Sequence, residues 1–219
     1  MDNSWLQLFF LLALSFVTGS FPTSIITGKL TRGIDIRDHG SGNAGATNVY
    51  RILGWKSALL VAIIDIFKGW LPVAYFATTF FQGHPIPDEG VVQILAGFAA
   101  VLGHTYTIFA GFKGGKGIGT LAGILIALFP FAFPLCLLAF VLTLIFTGYV
   151  SLSSMVAGIS LPIFLFILPP LFGIEPAPLS LLVFSLFVPW FIIFTHRSNI
   201  SRLRNGTENR FEKAMIFKN

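Results

Sequence analysis

Long apolar runs broken by short polar, glycine-rich stretches set the pattern of this 219-residue chain. Apolar runs predict helices at about Trp5–Gly28, Trp55–Phe81, Val91–Phe112, Ser154–Phe172 and Leu179–Thr195. Between the third and fourth, Ile118–Val150 is apolar throughout. A single helix there would rise about 50 Å, too long for a hydrocarbon core of about 30 Å. Pro130 and Pro134 fall near its middle, where a missing N–H and a bulky ring break or kink a helix. We therefore divide it into two short helices, which makes seven. The polar connectors are Lys29–Arg51, Gln82–Gly90, Lys113–Gly117 and Gly173–Pro178, and a polar tail runs from His196 to Asn219.

Composition fits a bilayer better than water. Hydrophobic residues make up 55% of the chain and charged ones 11%, where a soluble domain carries roughly 25% charged residues. The expected fold is an all-α integral membrane protein of seven transmembrane helices, one membrane-embedded domain over residues 1–219. Met1-Asp2-Asn3-Ser4-Trp5 has no basic residue, as a cleaved signal peptide would, so the first helix is expected to stay. Cytoplasmic loops collect Lys and Arg. With the N-terminus outside and the C-terminus cytoplasmic, every Lys and Arg except Lys68 falls on the inner side. A single helix at 118–150 would instead leave the basic tail outside. The net charge of +5 thus reports this orientation, and no nucleic-acid partner is implied.

The chemistry gathers on that inner face. Ser41-Gly42-Asn43-Ala44-Gly45-Ala46-Thr47-Asn48 combines small residues with amide and hydroxyl donors, and Arg51 adds a planar cationic fork. Such a loop suits phosphate oxygens. Gly103–Gly117 contains His104 and the run Lys113-Gly114-Gly115-Lys116-Gly117. It lacks the spacing of a nucleotide P-loop, but glycines flanking Lys116 suit close contact with an anion. His104, alone on an apolar helix, reads by itself as structural. Ser151 to Ser154 would ordinarily be helix caps. Asp65 and Lys68 share a helix face and read as a structural ion pair at membrane depth. The single Cys136 excludes an internal disulfide. No serine-nucleophile elbow, aspartate-rich cluster or Cys/His cluster is present, so no metal or cofactor is expected. The closest match to a His-x4-acid pair, His84 with Glu89, falls in a loop assigned to the outer side.

Together these segments resemble the PlsY family of bacterial acyl-phosphate:glycerol-3-phosphate acyltransferases. The likeness runs through Ser41–Arg51, Asp65–Gly69, Gly103–Gly117, Ser151–Ser154 and the tail from His196-Arg197-Ser198-Asn199 to Gly206-Thr207-Glu208. Thr147 and Gly148 stand where the family often carries a basic residue. The resemblance implies acyl transfer from acyl phosphate to glycerol 3-phosphate, giving 1-acyl-glycerol 3-phosphate and phosphate, the first acylation of phospholipid biosynthesis. It implies acyl-phosphate binding by Ser41, Gly42, Asn43, Gly45, Thr47 and Asn48. It implies glycerol-3-phosphate binding by Arg51, Lys116, His196 and Asn199, and catalytic roles for Lys116, His104 and Ser154. Phosphate leaves readily, so no acyl-enzyme is needed, and a phosphate oxygen of the substrate can take the hydroxyl proton. The lipid bilayer supplies the acyl-chain groove, and a soluble acyl-phosphate synthase at the cytoplasmic face is a candidate partner. The rival class, an anion or lipid transporter, would place polar residues along a path near the bilayer midplane, often with an internal repeat.

Overall fold

The computed structural model describes residues 4–81, 88–212 and 215–216. His84 and most of the Gln82–Gly90 connector lie outside them, as do Lys213 and Lys218. The described residues form helices and no strand. They are α1 (Ser4–Ser20), α2 (Thr23–Arg32), α3 (Ala46–Leu53), α4 (Trp55–Leu71), α5 (Ala77–Phe80), α6 (Glu89–Thr105), α7 (Ile118–Leu128), α8 (Ala132–Thr147), α9 (Val150–Phe172), α10 (Leu179–Thr195) and α11 (Arg197–Arg204). The chain divides into two compact units, Met1–Leu128 and Phe129–Asn219.

The first expected helix, Trp5–Gly28, is in fact two. It breaks at Phe21-Pro22, and the second part continues to Arg32, where Gly33 turns the chain at φ 68°. Proline has no N–H to continue the ladder from α1. The second expected helix survives Pro72 by another route. Residues Pro72–Phe76 widen into a π turn, and the helical stretch Trp55–Phe80 runs through. Between α7 and α8 the helix stops at Leu128 and restarts at Ala132, around Pro130.

Among the described residues, four stretches are long and apolar enough to cross a membrane: Ser4–Arg32, Trp55–Phe80, Glu89–Ala110 and Val150–Phe172. A fifth joins Leu179–Thr195 to Arg197–Arg204 across a 60° bend. The short apolar helices α7 and α8 carry the difference from the expected seven. At 1.5 Å per residue α7 rises about 16 Å, roughly half a hydrocarbon core. Phe9, Phe67, Phe187 and Trp190 face outward, as lipid-facing side chains would.

In the first unit, α1 packs on α6 and α4 on α7. Both crossings use a reciprocal pair of glycines. Gly19 of α1 lies on the Ala100 carbonyl, and Gly103 of α6 lies on the Phe16 carbonyl. Gly69 of α4 lies on the Thr120 carbonyl, and Gly123 of α7 lies on the Ile66 carbonyl. A Cβ at any of the four would overlap the facing backbone. Small residues permit this approach between helices where lipid offers no hydrophobic drive to associate. Beneath α3, an apolar cluster of Ile25, Ile36, Ala44, Val49, Ala58 and Val61 anchors the Lys29–Arg51 connector.

In the second unit, α9 packs on both α8 and α10. The tail returns along the end of α8: the Phe211 N–H donates to the Gly148 carbonyl at 2.7 Å and the Ile216 N–H to the Ile145 carbonyl at 3.1 Å. Gly148 has φ 73°, and a Cβ there would meet Met215 Sδ at 2.8 Å. The guanidinium of Arg210 sits 5.2 Å over the Tyr149 ring. Thr147 and Gly148, which stand where the family often carries a basic residue, thus lie beside one supplied by the tail. The Arg210 Nε–H donates to the Thr147 carbonyl at 3.4 Å.

Candidate active site

The Ser41–Asn48 loop is organised around Asn48, which is fully buried. Its amide nitrogen donates to the Ile36 and His39 carbonyls at 3.0 and 2.9 Å, and its Oδ1 accepts the Ser41 N–H at 2.9 Å. Among the residues assigned to acyl phosphate, Asn48 therefore holds the loop in shape. Gly42 turns the chain at φ 72° and is exposed, while Ser41 and Asn43 are half-buried beside it. Gly45 is the N-cap of α3 and Thr47 sits in its first turn. The N–H groups of Ala46 and Thr47 have no intrahelical acceptor, which leaves an anion-seeking helix start at this loop. Arg51 lies in the last turn of α3.

The second loop folds back on the end of α6. The Gly114 N–H donates to the Thr105 carbonyl at 2.9 Å and the Gly115 N–H to the His104 carbonyl at 3.2 Å. A Cβ on Gly115 would collide with both His104 Nε2 and the Ala44 carbonyl. The two glycine-rich segments, far apart in sequence, therefore meet at Gly115. This glycine is required by close packing between loops, a reason the sequence alone did not supply. Lys116 follows, half-buried, whereas Lys113 is exposed. Gly117 has φ 78°, a left-handed conformation suited to glycine.

Beneath these loops lies a pocket lined in part by Thr23, Asp65, Lys68, His104, Gly114 and Gly115. Asp65 and Lys68 are 3% and 4% exposed and pair at 2.8 Å. Lys68 also donates to the Phe21 carbonyl at 2.9 Å, and the Thr23 hydroxyl donates to Asp65 Oδ1 at 3.1 Å. The ion pair thus grips both sides of the Pro22 break. His104 is buried, with Nδ1 3.9 Å from Asp65 Oδ1, too long for a direct hydrogen bond. On the same wall, the Thr107 hydroxyl donates to the Ser20 carbonyl.

In the second unit, Ser154, His196 and Asn199 are all buried. The Ser154 hydroxyl donates to the Val150 carbonyl one turn back at 3.0 Å. His196 Nδ1 lies 2.8 Å from the Ile192 carbonyl, which favours a proton on that nitrogen. Asn199 meets a residue the sequence reading left without a role. Glu208 Oε1 accepts from the Asn199 amide at 2.7 Å and from the Ser151 hydroxyl at 2.9 Å. Its Oε2 accepts from Arg202 Nε at 2.7 Å. The Glu208 side chain is only 4% exposed.

A family model described as glycerol-3-phosphate acyltransferase matches residues 9–206. The chain belongs to the glycerol-3-phosphate acyltransferase family. It is an acyltransferase, as its relatives are named. The glycerol-3-phosphate acyltransferase of Pelodictyon phaeoclathratiforme is 44% identical, the match covering 94% of this chain and 97% of that one. That of Chlorobium phaeovibrioides is 43% identical over the same shares. Among solved structures, the glycerol 3-phosphate form of PlsY (YgiH), an integral membrane glycerol 3-phosphate acyltransferase, superposes with a TM-score of 0.80 at 37% identity, covering 93% of this chain and 95% of that one. The lysophosphatidic acid form of PlsY superposes with a TM-score of 0.78 at 36% identity, covering 93% and 94%.

For this acyltransferase, the sequence reading missed Asp35, Arg37 and Glu208. Asp35 and Arg37 carried a readable signal, opposite charges two apart just before the glycine-rich loop. Glu208 stood within a matched motif. Its partner Ser151 lies far away in sequence, so no local spacing could reveal that bond.

Proposed function

We propose that the chain transfers an acyl group from acyl phosphate to the 1-hydroxyl of glycerol 3-phosphate, releasing phosphate. The observation that carries this reading is the meeting of two glycine-rich loops at Gly115, which puts Lys116 beside the segment that presents the start of α3. The relatives' shared name and the glycerol 3-phosphate form of the related structure support the acceptor. Acyl phosphate is assigned to Ser41, Gly42, Asn43, Gly45 and Thr47, with Asn48 bracing their loop. Glycerol 3-phosphate is assigned to Arg51, Lys116, His196 and Asn199, with Ser154 and His104 as further catalytic candidates.

The reaction balances without an enzyme-bound intermediate. The glycerol oxygen bonds to the acyl carbon, the carbon–oxygen bond to phosphate breaks, and a phosphate oxygen takes the hydroxyl proton. Lys116 would stabilise negative charge as it moves onto carbonyl and leaving phosphate. The reading extends to one membrane domain that crosses a bacterial inner membrane seven times, N-terminus outside and C-terminus cytoplasmic, with the site facing the cytoplasm. A soluble acyl-phosphate synthase at that face would deliver the donor.

Purified protein given acyl phosphate and glycerol 3-phosphate should release phosphate and form 1-acyl-glycerol 3-phosphate. Acyl-CoA should not replace the donor, and EDTA should leave turnover unchanged. Robust acyl-CoA turnover would overturn the donor assignment. A cysteine at Glu175 should label from outside the cell, and one at Asn205 only after the membrane is opened.

A further inference from the structure

Arg37 is a cation that the proposed reaction does not use. Its side chain is 26% exposed, and that of its partner Asp35 is 22% exposed. The guanidinium is not free to meet a substrate. Nη1 donates to the Ala110 carbonyl at 2.8 Å and the Lys113 carbonyl at 2.9 Å. Nε donates to Asp35 Oδ1 at 3.0 Å, and Nη2 to Asp35 Oδ2 at 2.6 Å. These bonds use all but one Nη2 hydrogen of the fork. Asp35 is itself fixed, because its Oδ1 accepts the Arg37 N–H at 3.0 Å. The carboxylate therefore orients the fork before the fork reaches across to the second loop.

What the fork holds there is an unusual turn. The two carbonyls bracket Gly111 and Phe112, with φ 67° and 58°. Phe112 is the one non-glycine residue with positive φ among the described residues. A residue with a Cβ enters this region against a steric cost, so something outside the turn must favour it. Arg37 does so from one side, and a bond from the Phe112 N–H to the Thr107 carbonyl at 2.9 Å does so from within. Directly after this turn come Lys113, the two glycines packed on the end of α6, and Lys116.

We propose that Asp35 and Arg37 form a clamp that fixes the second loop against the first, making Arg37 a positioning residue for Lys116. This rests on the reading of Lys116 as a transition-state donor. A clamp acts through geometry, and a cation that merely attracts substrate acts through charge. Arg37→Lys separates the two, because it keeps the charge and loses the planar fork.

The test uses the full-length purified protein and two readouts. Amide hydrogen exchange over residues 107–117 reports the clamp without reference to any reaction. Steady-state kinetics with acyl phosphate and glycerol 3-phosphate report its consequence. In Arg37→Lys, exchange in 107–117 should rise about tenfold while that in α4 and α6 stays unchanged. The kcat should fall about ten- to a hundredfold, as for a misplaced catalytic group, with KM changed less than about threefold. Asp35→Asn should show the same pattern more weakly, and it stands in should the lysine variant fail to fold. Unchanged exchange, or a loosened loop with unchanged kcat, overturns the clamp. Wild-type exchange and wild-type kinetics in Arg37→Lys, which keeps the charge, would make Arg37 a steering charge instead. Should wild-type protein release no phosphate, the reaction assignment fails while the exchange result still judges the clamp.

Discussion

The Asn199 amide donates to Glu208 Oε1 at 2.7 Å, and this bond fixes which way the amide faces. Because a carboxylate oxygen only accepts, the amide faces Glu208 with its nitrogen and not with its carbonyl oxygen. Glu208 is held in turn by Ser151 and Arg202. An Asn presented by a carboxylate with three partners is preorganised in a way that a lone loop residue is not.

Replacing Glu208 with Gln should therefore damage turnover more than folding. Glutamine keeps the shape but lowers the charge, leaving Arg202 without its counter-ion and one buried donor poorly matched. Buried mismatches of this kind cost about 1–3 kcal/mol. We expect kcat/KM to fall about tenfold to a hundredfold, with the protein still eluting as a monodisperse detergent complex. Retained wild-type kinetics would show that Asn199 needs no such support.

The same carboxylate predicts a pH response. Burial pushes the Glu208 carboxyl up, but bonds from Asn199, Arg202 and Ser151 outweigh it and hold the group below its usual 4.5. Asp35 is likewise held below its usual 3.8, chiefly by the side-chain bond from Arg37. A carboxyl with a lowered folded value contributes stability that is fully present above its unfolded value. That contribution fades as pH falls through the folded one. Both networks should thus stay intact through the neutral and mildly acidic range and fail only below the usual carboxylate range. Amide exchange over 145–151 and 107–117, measured on pH-jumped samples, should stay flat until then. Loosening near pH 6 would contradict this sign and point to a histidine.

Much of this architecture was legible because bilayer chemistry writes itself in composition. The apolar runs, the break near Pro130 and the pairing of Asp65 with Lys68 all followed from hydropathy and helix spacing. Pro22 and Pro72 show where such reading stops. Both are prolines in apolar helices, yet one breaks its helix and the other is absorbed by a π turn. At the Pro22 break the Phe21 carbonyl is taken by Lys68, a partner distant in sequence that hydropathy does not reveal. Gly115 shows a second limit. Its sequence setting suggested an anion contact, and only the approach of Ala44 and His104 reveals a packing requirement.

The Asp65–Lys68 pair gives a stability prediction. Both groups are buried, and Lys68 also satisfies the Phe21 carbonyl at the end of α1. Removing one partner leaves an uncompensated buried charge, at about 3–5 kcal/mol. Asp65→Asn and Lys68→Met should each lower the thermal midpoint in detergent sharply. The double variant should recover part of the loss, because neither charge is then left alone. If the double variant is as unstable as the sum of the singles, the pair is not what holds the break.

Lys116 and Lys113 supply the sharpest test of the site. They lie three residues apart on one loop, so each should attract anionic substrate from a distance similarly. Their surroundings differ. Lys113 is exposed, and its carbonyl is held by Arg37. Lys116 is half-buried, between a glycine packed on His104 and one at φ 78°. An ammonium held there can strengthen its contact as charge builds on the leaving phosphate, and loss of one preorganised donor costs ~10²–10³ in rate. Lys116→Ala should therefore nearly abolish turnover while the protein stays folded. Lys113→Ala should lose only several-fold, through KM, and added salt should hide the difference from wild type. Arginine at 116 should rescue poorly, since a planar fork does not fit where a compact ammonium sits between tightly packed glycines. Equal defects in the two alanine variants, both erased by salt, would mean that the loop acts as a diffuse basic surface with no defined site.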